Sequence, residues 1–369
     1  MDWILGGDVS NNIVNGVEGM SAEWFTTVLR DAGALPAGRV DHAELEPFGG
    51  GVMTSMVRAK LSYADAGAGP ASLLVKYPSD DEGNRGIAQL MGLYELEVRF
   101  YRDVAPRLPR LSIPRCHFAE VEEQTGSFTL VLEDCSANTK PGTLLSTLSV
   151  DECAAALGEL ANFQAPLWNS PVLTEIAWLK DPTRTLGIFD AIPAGLEPFL
   201  ARFGNALDPD HVRMFEAVLP LAGKWVRSWR EPTVLQHGEF RSGNILLGTT
   251  ADAPAVTMID FQTVRIGIPG VDPAYFMGGS MPVDDRRKME RDVVRDYHAR
   301  LLSAGVKGFS WDDCWKSYRE GAMYGVYLLV GMAGQVEASE RNDRVILGLT
   351  QQLASMAMDL DAPKAAGLL

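Results

Sequence analysis

The chain is poor in cysteine, in net positive charge and in long apolar runs, and each shortage narrows what it can be. Its four cysteines in 369 residues, Cys116, Cys135, Cys153 and Cys314, show no CxxC or CxC spacing. They neither staple a small fold nor make a zinc site, and read as reduced, mostly buried thiols of a cytoplasmic protein. Lys and Arg number 33 against 48 Asp and Glu, a formal charge of −15. Nucleic acid and anionic membrane surfaces both call for a basic footprint, so neither is expected as a partner. A cationic ligand remains compatible with this excess of acid. The longest uncharged stretch, residues 321–336, holds four glycines and a glutamine. It falls short of the ~20 apolar residues that span a membrane and reads as a buried helix. The first residues, Met1–Asp8, carry neither a basic segment nor an apolar core and do not read as a signal peptide.

What is present is ordinary globular composition, 46% hydrophobic and 22% charged, on a length that suits two or three domains or lobes. Ser21 is an N-cap candidate for a helix over residues 21–32, with Trp24, Phe25, Val28 and Leu29 on one face. The period then changes to two. Residues 43–48 and 52–63 read as strands joined by Gly49-Gly50-Gly51, and Ser72–Tyr77 as a third strand closed by Pro78. A long helix is expected over 86–105, then strands near 115–121 and 127–133. Beyond this β-rich lobe, placed at residues 1–134, the texture of 135–369 is mainly helical. Ser149-x-x-Glu152 is a capping box opening a helix to about residue 165. Further helices are expected at 195–204, 209–229, 284–304, 310–336 and 339–360, with a short β-like section at 232–262.

The sharpest segment runs Gln236-His237-Gly238-Glu239-Phe240-Arg241-Ser242-Gly243-Asn244, followed downstream by Ile259-Asp260-Phe261-Gln262. These residue types suit phosphoryl transfer, which needs metal ions on phosphate oxygens, a cation on the transferring group and a carboxylate to orient the attacking hydroxyl. Asn244 and Asp260 offer hard oxygen ligands for Mg²⁺. Glu239 is the carboxylate and Arg241 the cation. The spacing of five from Glu239 to Asn244 equals that between Asp and Asn in the protein-kinase catalytic loop.

With these residues the chain resembles the aminoglycoside phosphotransferase and choline kinase-like superfamily, whose loop reads H-G-D-x-x-x-x-N followed by I-D-[FWY]-[EQ]. The ending Phe261-Gln262 and the run Gly270–Phe276 look most like the ecdysteroid kinase-like (CHK kinase-like) and related bacterial phosphotransferases. The resemblance spans roughly residues 40–345. It implies an α+β, two-lobed, protein-kinase-like fold with a small β-rich N-lobe carrying one long helix and a larger helical C-lobe. It also implies ATP, with GTP left open, and Mg²⁺ as cofactors, and a small-molecule hydroxyl as acceptor. Lys76 then stands where this fold presents a lysine to the α- and β-phosphates. Glu97, in Glu97-Val98-Arg99-Phe100-Tyr101, matches the family's E-x-x-F-Y helix and would pair with Lys76, with Glu95 as the competing partner. Gly50, Gly51 and Ser55 are candidates for a phosphate loop, although no GK[ST] occurs in the chain. Glu133 and Cys135, at the hinge, would meet adenine through their main chain. His237 and Asp272 would be structural, the latter bracing the loop.

One letter departs from the pattern: the family's catalytic Asp is Glu239 here. Glu is one methylene longer, and a misplacement of about 1 Å can cost ~10²-fold in rate. Lys76, Glu97, Arg241, Asn244 and Asp260 are all present, which favours a working kinase with a longer arm; the alternatives are a catalytically weak pseudokinase acting by interaction and an aminoglycoside phosphotransferase with a cationic substrate. Trp168, Trp178, Phe189, Phe199, Trp311, Trp315, Tyr318, Tyr324 and Tyr327 are either core or the lining of a site for a partly apolar alcohol. Glu175 and Asp181 keep a cationic acceptor open.

Overall fold

The fold is that of a computed structural model, which describes residues 12–49, 53–65, 69–143, 147–333 and 339–369. It packs as two compact units. The first holds residues up to Arg107, Ile113–Asn138 and Asp260–Thr263; the second holds Leu108–Ser112, Thr139–Ile259 and Val264–Leu369. Neither unit is one continuous stretch of chain.

The first unit is an antiparallel sheet of β1 (Val40–Pro47), β2 (Thr54–Tyr63), β3 (Ser72–Pro78), β4 (Cys116–Glu122) and β5 (Ser127–Glu133), in the order β1-β2-β3-β5-β4. Side chains alternate between the faces of a strand. Leu73, Val75 and Tyr77 of β3, with Val57, Ala59 and Leu61 of β2, bury one face against Trp24, Phe25, Val28 and Leu29 of helix α1 (Ala22–Asp31). Ser21 caps α1, accepting from Trp24 N–H. The same alternation turns Lys76 to the opposite face.

The single helix expected over 86–105 is three pieces. α2 (Glu82–Met91) ends at Gly92, whose φ of +64° is left-handed. α3 (Leu93–Arg99) then runs into a π-helical turn, Phe100–Val104, and a 3-10 turn, Ala105–Arg107. A glycine accepts that φ without Cβ strain, so the chain turns there where a helical pattern alone continues.

The second unit is mainly helical: α4 (Val150–Gln164), α5 (Val172–Glu175), α6 (Ala177–Lys180), α7 (Thr183–Ala191), α8 (Leu196–Phe203), α9 (Pro209–Val218), α10 (Ala222–Ser228), α11 (Val271–Ser280), α12 (Val283–Ser303), α13 (Trp311–Gly321), α14 (Met323–Ala333), α15 (Glu340–Asp359) and α16 (Ala362–Ala365). The Ser149–Glu152 capping box is formed. Two expected long helices are interrupted: 209–229 by a 3-10 turn carrying Pro220, and 310–336 between Gly321 and Met323. The helices α5, α6 and α7 show no clear helical pattern in the sequence: α5 and α6 span four residues each, and Pro171 and Pro182 stand just before α5 and α7. Among the described residues no helix is long and apolar enough to cross a membrane.

Five short strands, β6 (Thr139–Pro141), β7 (Val234–Gln236), β8 (Ile245–Gly248), β9 (Val256–Met258) and β10 (Arg265–Gly267), carry the functional segment. β6-β8-β9 form one sheet and β7-β10 a ribbon. The helix bearing Asp272 is pressed onto α13 at two glycines. A Cβ on Gly270 would lie 1.9 Å from Ser317 O, and one on Gly321 would lie 2.1 Å from Gly270 O.

Candidate active site

The first unit brings together Lys76, Glu97 and Asp260. Lys76 Nζ donates to Glu97 Oε1 at 2.8 Å and Oε2 at 2.6 Å, and to Asp260 Oδ1 at 3.3 Å. Burial disfavours the ammonium, but the Glu97 and Asp260 carboxylates outweigh it and hold its pKa above the ordinary lysine value. Glu95, the competing partner, instead pairs with Arg99 at 3.0 Å. Helical geometry decides between the two: Glu97 is 1% exposed and faces the core, whereas Glu95 lies on the half-exposed side.

Asp260 has φ +70°, a left-handed conformation that Asp tolerates better than most side chains. Its neighbour anchors it. Phe261 is fully buried, stacks on Phe100 with ring centroids 3.8 Å apart, and meets Tyr101 edge-on at 6.0 Å. The Phe261 main-chain N–H also donates to Glu97. The π-helical turn that carries Phe100 and Tyr101 thus seats the residue that aims Asp260.

Gly50 and Gly51 lie outside the described residues. Ser55 Oγ donates to Asp80 Oδ2 at 2.7 Å and accepts from Asp80 N–H at 3.1 Å, tying the start of β2 to the chain after β3. Its hydroxyl serves a turn here, which its sequence neighbourhood did not reveal. Glu133 pairs with Leu73 across the sheet, and its Oε2 accepts from Arg115 N–H at 3.1 Å. Cys135 opens a 3-10 turn capped by Asp134. Burial pushes its thiol pKa up to about 11.

The second unit holds the loop with Glu239, Arg241 and Asn244. Glu239 N–H donates to His237 Nδ1 at 3.3 Å, so Nδ1 is the acceptor nitrogen and Nε2 carries the proton it gives to Ile259 O at 2.9 Å. Asn244 Nδ2 donates to Glu239 O at 2.9 Å. That bond commits the amide nitrogen to the loop and leaves Oδ1 as the side chain's acceptor atom. Arg241 Nε is buried and reaches no hydrogen-bond acceptor among the described residues; Glu239 Oε1 is 3.9 Å away. A guanidinium so placed has donors left for an oxyanion.

Asp272 is fully buried and accepts from His237 N–H at 2.8 Å and from Gly238 N–H at 3.0 Å. Burial raises its carboxyl pKa, against the pull of His237, these main-chain donors and Arg265. Two residues of this loop's surroundings were not singled out for it from the sequence. Tyr324 of α14 and Arg265 of β10 both donate to Gly238 O, Arg265 at 3.3 Å. Neither lies in the motif, and a tyrosine in an apolar helix gives no local sign of such a bond.

Of the aromatics read as core or pocket, Phe189, Phe199, Tyr318, Tyr324 and Tyr327 are core, none more than 2% exposed. They give no support to a partly apolar acceptor. Trp168, Trp178, Trp311 and Trp315 are half-buried, and Glu175 and Asp181 are exposed.

Among the described residues no three His, Cys, Asp or Glu side chains converge as a metal cage. Asp260 in the first unit and Asn244 in the second each carry a side-chain oxygen of the hard kind that Mg²⁺ takes.

Residues 85–315 match the family described as Phosphotransferase enzyme family, APH. No curated protein matches the sequence. Solved structures match in fold. One is a GDP complex of a mutant aminoglycoside 2'-phosphotransferase IIIa, 14% identical over 93% of this chain and 99% of that one, with a TM-score of 0.53. Another is the gentamicin–APH(2'')-IIa complex, 15% identical over 94% and 99%, with a TM-score of 0.51.

Proposed function

Because the chain belongs to the phosphotransferase enzyme family, we propose that it is an ATP-dependent kinase that transfers the γ-phosphate to a hydroxyl of a small molecule, with Mg²⁺. The observation that carries this reading is the buried Lys76–Glu97 pair with Asp260 beside it. Such a lysine is costly to bury unless it is paired. Glu97 keeps it charged and aimed, ready for phosphate oxygens. Gly50, Gly51 and Ser55 are assigned to the phosphate loop, and the main chain at Glu133 and Cys135 to adenine.

Asp260 and Asn244 Oδ1 would hold Mg²⁺ together with the phosphates, and the ion would supply charge neutralisation on the phosphate oxygens. Arg241 offers its guanidinium to the transferring phosphoryl group. Glu239 accepts a hydrogen bond from the acceptor hydroxyl and takes its proton. The hydroxyl oxygen bonds to the γ-phosphorus, the bond from that phosphorus to the β–γ bridging oxygen breaks, and ADP leaves.

Thermal unfolding with and without Mg·ATP and Mg·GTP is the first test, because a ligand of the folded state raises stability. ADP release is then followed with a panel of apolar alcohols, amino alcohols and aminoglycosides. Stabilisation by Mg·ATP and turnover with one acceptor class are expected, and Asp260→Asn should abolish turnover while the fold persists. Stabilisation without turnover would favour the pseudokinase reading that Glu239 raises, and no response to either nucleotide would overturn the kinase assignment.

A further inference from the structure

Glu239 has no rigid element of its own. It sits in a loop after Gly238, whose φ is +84°, so the direction of its side chain is set by how the neighbouring peptides are held. All four main-chain groups around it are tied by side chains. Gly238 N–H donates to Asp272 Oδ1 at 3.0 Å, Glu239 N–H to His237 Nδ1 at 3.3 Å, and Glu239 O accepts from Asn244 Nδ2 at 2.9 Å. The fourth group, Gly238 O, accepts from the Tyr324 hydroxyl and from Arg265 Nη2.

We propose that Tyr324 and Arg265 are positioning residues for Glu239, clamping the Gly238–Glu239 peptide plane at its carbonyl while His237 holds the same plane at its N–H. The inference rests on Glu239 being the residue that receives the acceptor proton. Tyr324 is 2% exposed and does not face solvent. Its ring is fixed by Tyr275, edge-on at 5.4 Å. The Arg265 guanidinium lies 4.8 Å from the Tyr324 ring centroid and also donates to the Tyr324 hydroxyl. Arg265 Nε donates to Gln236 Oε1 at 3.1 Å, and Gln236 Nε2 to Ile268 O at 2.8 Å, so the clamp is built into the β7–β10 ribbon. A free peptide at a left-handed glycine can rotate, and rotation here swings the Glu239 carboxylate away from the hydroxyl. The longer Glu arm moves further for a given rotation than an Asp would.

The test is a double-mutant cycle of Tyr324→Phe and Glu239→Ala, read as ADP release with Mg·ATP and the best acceptor of the panel, or with water where none is found. Tyr324→Phe keeps the ring and removes one hydroxyl. It should lower kcat about tenfold with KM for Mg·ATP unchanged, the pattern of a lost transition-state alignment. In the Glu239→Ala background the same change should have no further effect. An equal fall in both backgrounds, or none in either, overturns the proposal. Glu239→Ala at wild-type rate removes Glu239 from the chemistry, which is failure of the underlying reading rather than of the clamp. Amide exchange separates the two without turnover. Residues 237–240 should exchange about tenfold faster in Tyr324→Phe, and Arg265→Met should do the same. Unchanged protection of those amides overturns the clamp whatever the kinetics show.

Discussion

Lys76 and Glu97 lie 21 residues apart in sequence, yet the lysine nitrogen sits 2.6 Å from one carboxylate oxygen and 2.8 Å from the other, with side chains 10% and 2% exposed. An ion pair this far from water stands or falls as a unit. Lys76→Ala leaves Glu97 and Asp260 without their shared cation. Removing one partner of a buried pair costs about 3–5 kcal/mol, so the unfolding midpoint in urea should fall markedly. The stabilisation by Mg·ATP should vanish in the same variant. Retained nucleotide stabilisation would take Lys76 off the nucleotide.

Glu239 separates a working enzyme from a relic. Glu239→Ala should lower turnover ~10²–10⁴-fold, the span of a general base. Glu239→Asp should also lower it, because at the same backbone position the carboxylate would stop one methylene short. A rise with Asp would mean that the site is a weakened version of the family's own. Arg241→Ala should reduce kcat more than nucleotide affinity. The reverse pattern would move Arg241 to the nucleotide.

His117 on β4 makes stability depend on pH. Burial, and secondarily the charge of Arg115, lower its pKa to about 4. The unfolded chain takes up the proton near pH 6.5, so the unfolded state binds more protons between those values and stability rises with pH there. The contribution is fully present above pH 6.5 and is lost as pH falls towards 4. Urea unfolding at pH 7 and pH 5 should show a smaller drop for His117→Gln than for the wild type. Equal drops would assign the acid sensitivity to carboxylates.

Gly321 is a packing residue whose effect reaches the loop. A methyl there would meet Gly270 O at 2.1 Å, and two backbones have no rotamer with which to yield. Overpacking typically costs about 1–3 kcal/mol. Gly321→Ala should therefore lower the melting temperature and, because Asp272 follows Gly270 by two residues, also speed amide exchange at His237 and Gly238. A lower melting temperature with unchanged exchange at the loop would confine its effect to the α11–α13 contact.

Much of this protein was legible as local pattern. The period of two over Ser72–Tyr77 implies that Lys76 faces away from Val75 and Tyr77. The Ser149–Glu152 box announces its helix, and the spacing of Glu239, Asn244 and Asp260 announces phosphoryl transfer. Each rests on a relation between neighbours in the chain, which the residues themselves dictate. Other features are set only by what meets what in space. A helical pattern over 86–105 runs through Gly92 without interruption, and only the packed chain uses that glycine's left-handed freedom to turn. Spacing to Phe100-Tyr101 favours Glu97 over Glu95, but only the burial of its helix face supplies the physical reason for the pairing with Lys76. Tyr324 donates to Gly238 across 86 residues. Such a bond has no local signature, because a buried carbonyl takes whatever donor the fold brings within reach. The sequence by itself determined the chemistry on offer and the faces that carry it; tertiary structure decided which partners hold those groups in place, since hydrogen bonds and close packing are made at a few ångströms between residues that the chain keeps far apart.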